Sequence, residues 1–261
     1  MRLLLDLVAA KDCSYDLMYY HKLQGFIYNF LKDTKFSGLH DKIGYKFFCF
    51  SNIFSKNKQG KDFIEGEKKN LIISSPNKEF VMLIKEKLDG LNGQNMGIGE
   101  MLFELENTRI ISPKLVDRGF TVETSTPIII RIPKERYGRY GIANEKKWLY
   151  WRPEYAFNAF VKQLEENLFK KYSEFFGEKL DEFPLFEQYH YICPVVNHVV
   201  VDGFERQFVG SIWKFIFSYA SKEQRKILEF GLDCGFGERN SLGFGFVNVL
   251  KSVNTQVTES I

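Results

Sequence analysis

Residues 235–245 read Gly235-Phe236-Gly237-Glu238-Arg239-Asn240-Ser241-Leu242-Gly243-Phe244-Gly245, two mirrored Gly-Phe-Gly triplets around five residues. Upstream, Ser221-Lys222-Glu223-Gln224 is a capping box that starts a helix running to about Asp233. Downstream, residues 244–250 alternate like a strand. The loop therefore closes a helix and opens a strand. Glycines let a backbone turn without a Cβ clash and approach a ligand closely. Their N–H groups, with Arg239, Asn240 and Ser241 at the tip, are donors suited to a phosphate. Dinucleotide and P-loop fingerprints follow a strand and open a helix, so neither accounts for this stretch.

Working outward, residues 195–202 and 206–219 form a strand pair turning at Asp202-Gly203. Residues 155–171 carry Phe157, Phe160, Val161, Leu164 and Leu168 on one helical stripe, and residues 128–132, entered through Thr126-Pro127, read as a strand. The first half is more regular. Residues 2–9 are a strand, and residues 15–32 are a helix with Tyr20, Leu23, Ile27, Phe30 and Leu31 at helical spacing. An aromatic strand over 46–54, a polar hairpin segment over 56–69 and a strand over 70–74 follow. Pro76-Asn77 opens a helix to Leu88, with Phe80, Val81, Ile84 and Leu88 on one face, before a strand over 101–111. The order β-α-β-β-α-β is that of a ferredoxin-like unit. Two such RRM-like units in tandem make an α+β protein, with domains expected at 1–118 and 119–261. Residues 242–247 resemble the aromatic strand of an RNA-recognition domain, but too little chain follows to complete one.

The chain has 261 residues, 44% hydrophobic and 26% charged, which is too apolar for disorder and long enough for two cores. Cys13, Cys49, Cys193 and Cys234 form no C-x-x-C pair, which argues against a disulfide framework or a zinc site and for reduced thiols. Leu3-Leu4-Leu5 is cut short by Asp6, and no run reaches the roughly 20 apolar residues of a membrane span. A soluble, cytoplasmic protein is expected. The net charge of +3 conceals two basic segments, +5 over residues 32–61 and +4 over residues 131–147. The second segment contains Arg131, Lys134, Arg136 and Arg139 among tyrosines and is followed by Trp148, Tyr150 and Trp151. Cations that track phosphates and aromatics that stack on unpaired bases are the materials of an RNA-binding surface.

The helix, the G-F-G-x5-G-F-G loop and the closing strand resemble the C-terminal signature of the CRISPR-associated repeat endoribonucleases, members of the RAMP superfamily. The resemblance covers nearly the whole chain, including Ser125-Thr126-Pro127-Ile128 and the segment from Gly203-Phe204 to Gly210. It implies RNA contacts from Gly235, Gly237, Arg239, Asn240, Ser241, Gly243 and Gly245, joined by the basic strip. The loop is shared with non-catalytic RAMP relatives of surveillance complexes, which a catalytic centre in the first domain would separate from an endonuclease.

Of the histidines His21, His40, His190 and His198, the second lies in Ser37-Gly38-Leu39-His40-Asp41-Lys42, between the first helix and the second strand. There the resemblance implies a catalytic histidine, able to exchange a proton with a ribose 2′-OH or a leaving 5′-oxygen. It also maps a tyrosine onto Tyr28 and a phosphorane-stabilising lysine onto Lys46, with Tyr45 and Lys42 as substitutes. His21 reads as helix surface and His198 as a core or sheet histidine. Glu187-x-x-His190 has no second copy, and no acidic constellation suggests a two-metal nuclease, so neither metal nor cofactor is expected. The implied activity is metal-independent cleavage of precursor CRISPR RNA within its repeats, leaving 2′,3′-cyclic phosphate and 5′-OH ends. A non-catalytic RNA-binding subunit is the alternative. Repeat RNA is the expected partner, with other surveillance-complex subunits and a homodimer compatible with it and no membrane.

Overall fold

Leu3, Leu5, Leu7 and Ala9 alternate inward along β1 (Arg2–Ala9), and each is fully buried. The computed structural model describes residues 1–14, 19–55, 62–91, 93–201 and 203–251. After β2 (Cys13–Ser14), α1 (Tyr19–Leu31) buries Tyr20, Leu23, Ile27 and Leu31 at spacings of three and four. Then come β3 (Cys49–Phe50), β4 (Asp62–Phe63) and β5 (Lys68–Ser74). Next, α2 (Lys78–Asp89) starts where the Asn77 side chain accepts from the Glu79 and Phe80 amides. β6 (Asn95–Ile98) and β7 (Met101–Ile111) complete an antiparallel sheet ordered β3-β5-β1-β7-β6. With β1 central and a helix before β3 and before β6–β7, this is a ferredoxin-like arrangement carrying one extra edge strand.

The same plan recurs. Its parts are β8 (Arg118–Thr124), β9 (Arg131–Pro133), β10 (Trp148–Tyr150), α3 (Phe157–Phe176), β11 (Gln188–Val201), β12 (Phe204–Tyr219), α4 (Lys222–Cys234) and β13 (Val247–Lys251). Four of these strands form a sheet ordered β11-β12-β8-β13, while β9 and β10 make a separate ribbon. The chain is thus an α+β protein of two tandem ferredoxin-like units. Ser221 caps α4 in the reciprocal arrangement with Gln224 that the sequence predicts. No helix among the described residues is long and apolar enough to cross a membrane.

Several elements differ from the sequence expectation. The second strand is only Cys49–Phe50, because Phe47 turns left-handed (φ 51°) and the chain joins the sheet after it. Pairing then continues irregularly, from the Ser51 amide to the Ile72 carbonyl at 2.9 Å and through a bridge of Phe54 to Asn70. The first strand of the second unit is β8 rather than residues 128–132. Its alternation of Phe120, Val122 and Thr124 inward is masked by small and polar neighbours. Ile128 and Ile129 are fully buried instead, bridged to Ser211 of β12 and to Glu238 of the glycine-rich loop. A continuous apolar run has no period to reveal such two-sided burial. β11 reaches back to Gln188 across a bulge at Tyr191/Cys193, and α3 runs on to Phe176. Residues 243–246 belong to the loop, with β13 beginning at Val247. Gly203 turns the hairpin with φ 77°, while Asp202 lies outside the described residues.

The units are stitched together by the loop. Leu242 and Phe244 insert into the core of the first unit, where Phe244 stacks on Tyr20 with centroids 4.9 Å apart. Arg2, buried at 2% exposure, crosses the other way. It donates to the Leu232 and Val247 carbonyls at 2.6 and 2.7 Å and to Asn248 Oδ1 at 2.7 Å, beneath the Phe246 ring.

Candidate active site

Between the segment 40–46 and the glycine-rich loop lies a cleft of about 610 Å³. Tyr28, His40 and Lys46, separated by up to 18 residues in sequence, meet on one wall of it. Lys46 Nζ donates to the Tyr28 hydroxyl at 2.9 Å and to the His40 carbonyl at 2.6 Å. The His40 ring meets the Tyr28 ring edge-on, with centroids 5.0 Å apart. His40 Nδ1 lies 2.7 Å from Asp41 Oδ1. A carboxylate oxygen only accepts, so Nδ1 donates and Nε2 is left as the nitrogen free to exchange a proton. Burial pushes the Tyr28 phenol up to about 12, against the opposing hydrogen bond of the Ser241 side chain. The phenol is therefore a hydrogen-bond donor at neutral pH rather than a base. Burial likewise lowers the Lys46 ammonium, with Asp41 pulling the other way. Of the substitutes, Lys42 forms an ion pair with Glu174 at 3.9 Å, and the Tyr45 ring lies 5.9 Å from Lys171 Nζ.

The opposite wall is the loop. Its glycines are required, but the neighbours they approach belong to the protein. A Cβ on Gly237 (φ 66°) would stand 2.6 Å from the Ile129 carbonyl oxygen, and one on Gly245 (φ 73°) would collide with the carbonyl of Phe236. Gly235 and Gly243 are buried as well. Asn240 is 8% exposed, and its amide donates to the Phe236 and Phe244 carbonyls at 3.0 and 2.9 Å. Beneath it, fully buried Lys171 donates to the Gly235 and Gly237 carbonyls and to Asn240 Oδ1 at 2.9, 2.6 and 2.6 Å, using all its protons. What the loop offers the cleft is its tip. Arg239 is exposed, Ser241 is half-buried, and the backbone amides of Arg239, Asn240 and Ser241 find no acceptor among the described residues. The Gln24 side chain of α1 holds the Ser241 carbonyl at 2.8 Å.

The basic strip is divided. Arg131 lines the cleft but is ion-paired with Glu238. Lys134 pairs with Glu145 at 2.6 Å, and Arg136 clamps Glu166 of α3 through two bonds of 2.9 and 2.6 Å. Arg139 is exposed and away from the cleft lining. Only Arg131 of these is therefore brought to the His40 side chain's cleft.

Residues 110–249 match the family model described as CRISPR associated protein Cas6, C-terminal. A CRISPR-associated endoribonuclease Cas6 2 of Methanocaldococcus jannaschii is 37% identical over 96% of this chain and 100% of its own length. The chain belongs to the Cas6 family. A second Cas6 endoribonuclease, from Haloferax mediterranei, is 31% identical over 99% of the chain and 97% of its own. A solved structure titled an RAMP protein binding different RNA substrates shares the fold, with a TM-score of 0.74, 23% identity and coverage of 96% and 100%.

Three neighbours of this Cas6-family site escape a residue-by-residue reading. His21 is not simply on the helix surface, since it lines the cleft and its Nδ1 is buried without a partner among the described residues. His21, Gln24 and Tyr28 recur at helical spacing along α1, a signal that was available in the sequence. Asp41 is adjacent to His40, yet adjacency gives no hint that the two side chains meet. Lys171 reads as the polar end of an amphipathic stripe, and only the packing of α3 against the loop reveals it as buried. His198 points outward in its strand and pairs with Glu205 across the hairpin.

Proposed function

We propose that this chain is a metal-independent endoribonuclease that cuts precursor CRISPR RNA within its repeats. The observation that carries the reading is the convergence of His40, Lys46 and Tyr28 opposite the Arg239–Ser241 tip in one cleft. In the reaction, the 2′-oxygen attacks the adjacent phosphorus in line as the P–O5′ bond breaks. The proton leaves the 2′-OH and one is delivered to O5′, giving a 2′,3′-cyclic phosphate and a 5′-OH. His40 Nε2 serves one of these transfers as general base or acid. The Lys46 ammonium stands where charge builds on the phosphorane. Tyr28, protonated at neutral pH, donates to the 2′-oxygen or a phosphate oxygen. These groups supply acid–base and electrostatic catalysis from side chains alone.

In the same proposal the unit 1–118 carries the chemistry. The unit 119–261 holds RNA through the tip of the loop and through Arg131, the cation of the strip that lines the cleft. Repeat RNA from the host's own array, incubated with the protein in EDTA, tests the reading. Cleavage should persist, His40→Ala should slow it by at least about 100-fold, and RNA with a 2′-deoxy nucleotide at the cut should bind but stay whole. Binding without turnover would make the chain a non-catalytic subunit. Cleavage indifferent to His40→Ala would overturn the assigned centre.

A further inference from the structure

A second cleft, of about 570 Å³, opens beside β10 and is lined by Lys146, Lys147, Trp148, Arg152, Tyr155 and Gln207. Its size lies within the range of small-ligand pockets. We infer that this cleft seats an unpaired nucleotide of the bound RNA, away from the cut, as a subsite that contributes to affinity and selectivity. The inference rests on the RNA-cleaving reading above and concerns residues that reading leaves unused.

Three observations carry it. The first is charge that has no internal outlet. Arg131, Lys134 and Arg136 are each neutralised by a glutamate of the fold. Lys146, Lys147 and Arg152 are exposed and form no ion pair among the described residues, and no carboxylate lines the cleft. Such a concentration of uncompensated cations attracts a polyanion.

The second observation is the aromatic wall. Trp148 and Tyr155 are half-buried and both line the cleft. Trp148 is braced by Tyr150, edge-on with centroids 4.9 Å apart, and its strand is registered against β9. An aromatic platform held in place is what an unstacked base needs, because every base has a π-face. Lysines alone would suit an acidic peptide equally well. Aromatic platforms beside them favour a nucleotide. Gln207, exposed on β12, adds an amide that both donates and accepts, a group able to prefer one base edge.

The third observation is continuity. The Arg131 guanidinium lies 4.9 Å from the Trp148 ring centroid and also lines the cleft that holds His40. One side chain therefore lines the first cleft while touching a wall residue of the second. A strand leaving the catalytic cleft along this arginine arrives at the aromatic wall.

The experiment uses the full chain and repeat RNA made uncleavable by a 2′-deoxy nucleotide at the cut, scanned with single abasic positions. One abasic position should weaken wild-type binding about tenfold. The same abasic RNA should bind Trp148→Ala no worse than intact RNA does, because the platform is already gone. Replacing both exposed lysines, Lys146→Gln with Lys147→Gln, should lower the slope of log Kd against log salt by about 1.4, roughly 0.7 for each phosphate contact on a single strand. Gln207→Ala should change which base is preferred at the sensitive position. If Trp148→Ala fails to fold, the lysine pair and Gln207 decide, since both are on the surface. Additive abasic and Trp148 effects, or an unchanged salt slope, would overturn the subsite while cleavage at His40 stands. Failure of any repeat RNA to bind or be cut would remove the parent reading, a result distinguishable from both.

Discussion

At the scale of single residues, the proposed chemistry turns on one lysine's hydrogen bonds. Lys46 reaches both the Tyr28 hydroxyl and the His40 carbonyl, so it fixes the relative position of the groups flanking it while keeping its charge in the cleft. Lys46→Met should lower the single-turnover rate about 100-fold, with affinity for uncleavable RNA reduced far less. The pH dependence has a definite sign. Burial lowers the ammonium pKa below its ordinary 10.5, so the cation is lost as pH rises through that lowered value. The rate should therefore decline on the alkaline side before a free lysine would titrate, and Lys46→Arg, permanently charged, should abolish that decline. Tyr28, His40 and Lys46 are legible in the sequence through the family resemblance. Their partners Asp41 and Ser241 are not legible as partners, because a side chain's contacts depend on rotamer and packing rather than on spacing.

At the scale of elements, the glycine-rich loop is read correctly as a loop, but its glycines approach the protein itself rather than a ligand. What approaches them is visible only in three dimensions. Gly245 sits at φ 73° against the Phe236 carbonyl, and Lys171 satisfies carbonyls that the tight turn strands in the interior. Gly245→Ala should destabilise the protein by at least about 1–2 kcal/mol from left-handed strain alone, more with the collision, read as a lowered Tm. Strand β8 was hidden for the converse reason. Its inward side chains Phe120 and Val122 are separated by residues of little apolar character, whereas the conspicuous Ile128 and Ile129 are fully buried and form only bridges. Apolar content marks burial more faithfully than it marks strand pairing.

At the scale of the whole molecule, the loop joins two tasks that sequence reading treats apart. Phe244 stacks on Tyr20 in the first unit, while the tip between the glycine pairs faces the catalytic cleft. The units should therefore unfold in one calorimetric transition. Phe244→Ala should cost about 3–5 kcal/mol, lower Tm by roughly 10 °C, and slow cleavage through the displaced tip. Two separate transitions in the wild-type protein would contradict this coupling. The sequence by itself determined the tandem α+β plan and the capped helix before the loop, while the trio of candidate catalytic residues came from the family resemblance. The first two depend on local periodicity and capping chemistry, which are written along the chain. Only the tertiary structure decided that Arg131, Lys134 and Arg136 answer carboxylates of the fold while Lys146, Lys147 and Arg152 face a cleft. Charge pairing joins residues as distant in sequence as Arg131 and Glu238, and no spacing rule encodes a contact that only the packing of the loop against β9 creates.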